Sequence, residues 1–346
     1  MWTITVRDLL YRRRQFGIAA VGAGLVFAIT LIMTGISAGF RAEAGRTVKS
    51  VGADAWIVPD GVSGPFTGAS VVDPAAAAGV LGARRVDPIL IVAATIPHGR
   101  SLAGVNVIGH VVGGLGAPKP SSGRAPARSG EVMVDASVGV GVGRTIVINN
   151  LPLTVTGQTR GDTYFGGIPV VYTTLADAQQ LAFAGKPLAS AFVTQGQPRS
   201  LPPGLRVMSN ADVRRDVTRV TASARKTIAS TRAFMWLVGA VIIGAVTYLS
   251  ALERVRDFAV LKAVGGSTAA LLGSVATESI AISLFSAALA VVLSKLLLLL
   301  PAFTLPETIT WAAYAALPAV AVVVGALASV AAIRRALKVD PALAFG

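Results

Sequence analysis

Apolar positions run together in four places along the chain, at 16–36, 233–252, 270–300 and 312–333. Each run is long enough to cross the hydrocarbon core of a bilayer, which takes about 20 apolar residues of helix. Between the first two lies a polar segment rich in Gly and Pro, 37–232, long enough for a folded core of its own. The pattern predicts one span, a large domain, then three spans joined by a segment at 253–269 and a short turn at 301–311. Inside the large segment, 51–58 reads as a turn and a strand. Further strands are expected at 87–94, 131–135, 145–148, 151–155, 169–172 and 191–194, and a helix at 175–182. Asn149-Asn150 marks a tight hairpin, because Asn tolerates positive φ. The stretch 119–130, rich in Pro, Ser, Gly and Arg, reads as a loop. The expected fold is an α-helical membrane protein with four transmembrane helices and a large α+β extracytoplasmic domain between the first and second.

The borders of the spans carry their own periodicity. In 1–15, Trp2, Val6, Leu9 and Leu10 share a helical face, the signature of a helix lying on the inner leaflet. The apolar run after Phe16 exceeds a signal-peptide core and no small-x-small site follows it, so a retained anchor is expected instead of a cleaved leader. Past Ile36, Phe40, Ala44 and Val48 continue the helical repeat. At 211–232, Val213, Val217, Val220, Ala224 and Ile228 form one stripe of a helix expected to enter the second span without a break. The segments 37–50 and 211–232 would then form a two-helix stalk. Ala20, Gly24 and Ala28, then Ala240 and Gly244, then Gly325, place small residues where helix backbones approach closely in lipid. That spacing serves a dimer seam or packing within one bundle equally well.

Composition fits this layout: 53% of residues are hydrophobic and the mean hydropathy is +0.67, too apolar for an ordinary soluble enzyme. The net charge of +14 does not point to nucleic acid, because the cations are dispersed or sit at membrane borders without interleaved aromatics. There is no cysteine, hence no disulfide, thiolate metal site or cysteine nucleophile. Arg7, Arg12, Arg13 and Arg14 precede the first span, Arg254, Arg256 and Lys262 separate the second from the third, and Arg334, Arg335 and Lys338 follow the fourth. The positive-inside rule therefore puts both termini and the 253–269 segment in the cytosol and the large domain outside. The sequence has no Walker A lysine loop; Gly139, Gly141 and Gly143 miss the dinucleotide spacing and read as a strand turn. His98 and His110 lack ligand partners at useful spacing and read as surface groups. Glu278 is the carboxylate that lies well inside an apolar run, which makes it an intramembrane polar candidate. Lys295 is expected to snorkel to the outer interface.

The most informative stretch is Leu249 to Ser267, a charged interruption between two apolar runs. Val255, Phe258, Ala259 and Lys262 fall at helical spacing, and Gly265-Gly266 follow where such a helix would stop. Glu253-Arg254-Val255-Arg256-Asp257-Phe258-Ala259-Val260-Leu261-Lys262-Ala263-Val264-Gly265 resembles the coupling helix of the FtsX/MacB/LolC-type ABC transporter permeases. The tail 332–345 with Asp340-Pro341 is similar to that family's cytosolic tail. More loosely, 142–148, 153–157 and 170–181 resemble the later part of a MacB-type extracytoplasmic core domain, Gln158 standing where hydrophobic residues are common.

The resemblance implies a permease subunit of the bacterial inner membrane that is not itself an enzyme. Glu253, Arg254, Arg256, Asp257, Phe258 and Lys262 would contact a separate ATPase subunit, present in two copies, which holds the ATP and Mg; this chain would carry no cofactor. It also implies a second permease chain, identical or similar, contact with membrane lipid, and an extracytoplasmic domain that moves to export or extract a lipid, peptide or drug-like cargo, or acts on an outer partner protein. The other readings are uptake of a small solute such as an amino acid, for which four spans nearly free of charge offer little lining, and a membrane-anchored regulator.

Overall fold

A computed structural model describes residues 13–99, 101–255, 260, 264, 265, 267–299 and 309–337. The expectations for 1–12, for 301–308 and for the 338–346 tail lie outside the described residues. The described elements include six helices, α1 (Arg13–Ser50), α2 (Leu175–Phe183), α3 (Asn210–Val220), α4 (Ala222–Glu253), α5 (Thr268–Leu298) and α6 (Trp311–Leu337). The strands are β1 (Ala55–Pro59), β2 (Arg85–His98), β3 (Ser101–His110), β4 (Ser122–Gly123), β5 (Glu131–Asp135), β6 (Thr145–Ile148), β7 (Leu151–Thr159), β8 (Thr163–Tyr164), β9 (Ile168–Thr174), β10 (Ala191–Gln195) and β11 (Leu205–Ser209). Two compact units result: Phe40–Ala224 holds the sheet, and the chain before and after it makes the helical unit.

In the sheet unit the strand order is β11-β1-β10-β2-β3-β9-β5-β7-β4, with β6 on β7 and β8 on β9. β3 runs parallel to β9 and β5 to β7, and the other pairs are antiparallel, so the sheet is mixed. Asn149 and Asn150 take φ of 42° and 69° and close the β6–β7 hairpin, in which Ile148 faces Leu151. Gly139, in the left-handed region, ends a short 3-10 turn, not a phosphate loop. The strands β3 and β11 lie where the sequence reading expected none. β3 has an exposed start that includes Leu102 and six buried residues in a row at its end, which obscures the two-residue alternation.

Buried carboxylates pin the ends of helices to this unit. Glu43, on α1, accepts the backbone N–H groups of Gly166 (2.9 Å) and Gly167 (2.8 Å), and one turn on Thr47 donates to the Thr163 carbonyl. Asp216, on α3, accepts the Phe66 N–H at 3.0 Å and the Thr67 hydroxyl. An unpaired buried charge would be costly, and each carboxylate offsets that cost with several donors. His110 is a correction: it is 3% exposed, not a surface group. As the last residue of β3 it turns its ring inward, where Nδ1 lies 2.9 Å from the Val111 carbonyl. Burial lowers its pKa, with Asp87 nearby opposing that shift.

Glu131 opens β5 and is gripped by Arg124, with nitrogen–oxygen distances of 2.7 and 2.5 Å, and by the Ala127 N–H at 2.9 Å. These bonds, the Arg124 side-chain bonds above all, hold its pKa down to about 2 from an ordinary 4.5. A depressed carboxylate contributes stability that is complete above the unfolded-state value and is lost as pH falls through the folded one. The melting temperature of the solubilised chain should therefore fall between pH 4.5 and 2, and fall less steeply in Glu131→Gln; equal slopes in the two proteins would refute this assignment.

α1 is one unbroken helix of 38 residues. α3 and α4 are two helices, which corrects the expectation of a continuous helix over 211–232. Thr221 leaves helical geometry at φ −90°, ψ 4°. Thr218 bonds back to the Arg214 and Arg215 carbonyls and Thr221 to Thr218, and such local bonds compete with the helical ladder.

Among the described residues four helices are long and apolar enough to cross a membrane, over Phe16–Ser50, Ala222–Glu253, Gly273–Leu298 and Trp311–Val330. Their exposed faces are apolar, as at Ile18, Phe234, Val241, Phe285, Val292 and Leu327, whereas Thr30, Thr247, Glu278, Ser279, Ser283 and Ser286 are buried. A soluble protein does not expose apolar surface on this scale, so the arrangement suits a lipid surround.

Candidate functional site

The small residues fix how the four long helices meet. A Cβ on Gly24 would lie 3.2 Å from the Ser286 carbonyl oxygen, and one on Gly244 3.1 Å from that of Ala328. At Gly325 it would lie 2.9 Å from both Ile280 Cα and the Ser279 carbonyl oxygen. Gly239 admits the Phe27 ring, which also stacks at a tilt on Trp236 with centroids 5.3 Å apart. Ala20 and Ala28 are buried and Ala240 half-buried. Gly24, Gly244 and Gly325 thus face neighbours within one bundle. On its outer side α4 and α6 leave an open apolar groove of about 970 Å³, with Trp236, Gly244, Tyr248, Val324 and Leu327 among its lining residues.

At one end of the bundle α4 stops at Glu253, and the chain returns in α5 from Thr268. The Val264 N–H bonds to the Val260 carbonyl at 3.0 Å, a helical spacing, and Gly265 follows with φ 91°. This is the left-handed exit that glycine permits and most residues resist. Val260 and Val264, four residues apart, are 51% and 84% exposed, and Glu253 is exposed as well. Two exposed apolar side chains at helical spacing are suited to a protein partner. The sequence reading passed over both valines, because on a helical wheel they fall off the stripe defined by Val255, Phe258 and Lys262. Arg256, Asp257, Phe258 and Lys262 lie outside the described residues.

Arg254 is among the residues expected at the ATPase contact. Its guanidinium turns back into the bundle and meets Glu278 of α5 at 3.4 Å, with side chains 15% and 5% exposed. Helical side chains lean toward the N-terminus of their helix, and the long arginine stem extends that reach. Next to Glu278, the Ser279 hydroxyl donates to that of Thr247 on α4 at 3.1 Å. Glu278 and Arg254, two residues singled out for different reasons, therefore form one site joining α4 to α5. Sequence reasoning could have found it only by pairing the buried acid with the nearest cation across the connecting segment.

Residues 231–341 match a family described as FtsX-like permease C-terminal. The chain is 40% identical over 347 residues to an uncharacterized ABC transporter permease of Mycobacterium tuberculosis (strain ATCC 25618 / H37Rv), covering 99% of this chain and 98% of that protein. A second uncharacterized ABC transporter permease of the same strain is 37% identical over 344 residues, with the same coverage of 99% and 98%. Among solved structures, the periplasmic region of MacB from Actinobacillus actinomycetemcomitans aligns with a TM-score of 0.35 and 12% identity, over 48% of this chain and 94% of that one.

Proposed function

Because the chain belongs to the ABC transporter permeases with an FtsX-like C-terminal domain, we propose that it is the force-transmitting membrane subunit of its complex. Membership implies a separate ATPase partner and a dimeric assembly. In this reading the segment between α4 and α5 lies in the cytosol, as its basic residues and those at both termini suggest. Glu253, Val260 and Val264, with Arg256, Asp257, Phe258 and Lys262, make the ATPase contact. The ATPase binds ATP and Mg, closes, and displaces the segment; α4 and α1 relay that movement to the 40–224 domain outside. The cargo class is apolar or amphipathic: a lipid, a peptide or a drug-like molecule.

One observation carries the reading. The described interior of the bundle is filled by side chains such as Phe27 and Ile243, both 0% exposed, and its buried hydroxyls at Ser283 and Ser286 bond to their own helix. A packed bundle with an exposed apolar and charged handle is built to be moved. Reconstitution in liposomes with a partner P-loop ATPase tests this. ATP hydrolysis should be stimulated by the permease, and a spectroscopic label in the 40–224 domain should report a nucleotide-dependent change. Absence of both would sink the proposal.

A further inference from the structure

The Arg254–Glu278 contact joins two places that the chain separates. Arg254 is the first residue past α4, at the root of the segment that carries the exposed Val260 and Val264. Glu278 lies ten residues into α5, which starts at Thr268, or about 15 Å along its axis at 1.5 Å per residue. The segment from 255 to 267 is covalently continuous with both helices, yet a short connection can hinge at each end, the more so with Gly265 at φ 91° beside α5. A displacement applied to Val260 and Val264 could then be absorbed in the hinge instead of reaching α5. A side chain that leaves the root of the segment and grips α5 well above its start removes that freedom. Both partners are largely buried, so water competes poorly for them. The second tie, Ser279 to Thr247, lies beside the first and makes the contact two-pronged.

We propose that Arg254 and Glu278 are positioning residues that lock the root of the segment carrying Val260 and Val264 to α5, so that a push on the segment moves α4 and α5 together. Neither residue touches nucleotide or cargo. The mechanical half of the proposal is independent of any partner; the functional half rests on the force-transmission reading above.

The chain has no cysteine, so Val264→Cys and Phe285→Cys, at positions 84% and 63% exposed, can carry the only two spin labels. In lipid nanodiscs the labelled chain should give one narrow distance distribution. E278Q and R254Q should broaden it, and the charge-swapped R254E/E278R should narrow it again. With the ATPase present, E278Q should keep complex assembly and the KM for ATP but lose at least about fivefold of the stimulated kcat, the lower end of ordinary coupling between sites. The charge swap should restore it, a recovery that loss of general packing does not produce. If E278Q fails to assemble, R254A/E278A serves in its place: it removes both charges of the pair, and it too should broaden the distances and lose stimulation. Distances as narrow in the variants as in the unaltered chain overturn the proposal. Unchanged stimulation in E278Q overturns its functional half. Absent stimulation by the unaltered chain defeats the force-transmission reading instead, and the distances measured without the ATPase still decide whether the pair is a lock.

Discussion

Complexes carrying Arg256→Glu or Asp257→Lys are expected to assemble in the membrane, bind ATP, and fail to pass its hydrolysis to the outside. Both residues belong to the charged interruption between two apolar runs, flanked by the described Val255 and Val260. A docking surface of alternating charge selects its partner by complementarity, and placing like charges against each other costs several kcal/mol. Every 1.4 kcal/mol is a factor of ten, so each reversal should lower permease-dependent stimulation of the ATPase by about tenfold or more. Folding should be unaffected, since neither reversal alters the close contacts that Phe27, Gly244 and Gly325 make in the bundle. The measurement is ATP turnover in liposomes beside a folding readout such as the thermal unfolding of the solubilised chain. Full stimulation in both reversals would show that this segment is not the handle.

Gly325→Leu is expected to break the bundle itself. The first atom of any side chain there would lie 2.7 Å from Ser283 Oγ and 2.9 Å from two backbone atoms, Ile280 Cα and the Ser279 oxygen. A hydroxyl can rotate away; a backbone cannot, so α5 and α6 must separate. Overpacking of well-filled interiors costs about 1–3 kcal/mol and more where backbone has to move, and a lipid surround offers no hydrophobic force to pull the helices back together. Gly325→Leu should therefore lose at least about 3 kcal/mol in a denaturant titration of the solubilised protein. Gly273→Leu on α5 is the control: nothing lies within 4 Å of the added atom, and leucine suits a helix better than glycine does. Equal stability of the two variants would mean that α5 and α6 do not pack as described.

Much of this protein is legible in its linear order because bilayers impose a coarse rule. A run of about 20 apolar residues announces a span whatever it packs against, and so the four long helices and the large interposed domain follow from hydropathy alone. The local chemistry of turns was equally plain: Asn149-Asn150 closes its hairpin, and Gly265 takes the left-handed exit, since both depend on backbone sterics within a few residues. Elements without a clear period did not declare themselves. β3 is buried on both faces along its later half, and the break at Thr221 arises from hydroxyls that bond to their own helix instead of from a proline or glycine.

What the order of residues settled by itself is the class of molecule: a permease with four long apolar helices, an α+β domain between the first and second, and a charged segment between the second and third. The tertiary structure alone decided which small residues face which helix, that His110 is buried, and that Arg254 turns away from the exposed surface to meet Glu278. The physical reason is range. Span length, charge at borders and turn sterics are summed over neighbours in sequence, whereas an ion pair or a glycine contact is a meeting of residues that only the packing of separate helices brings together.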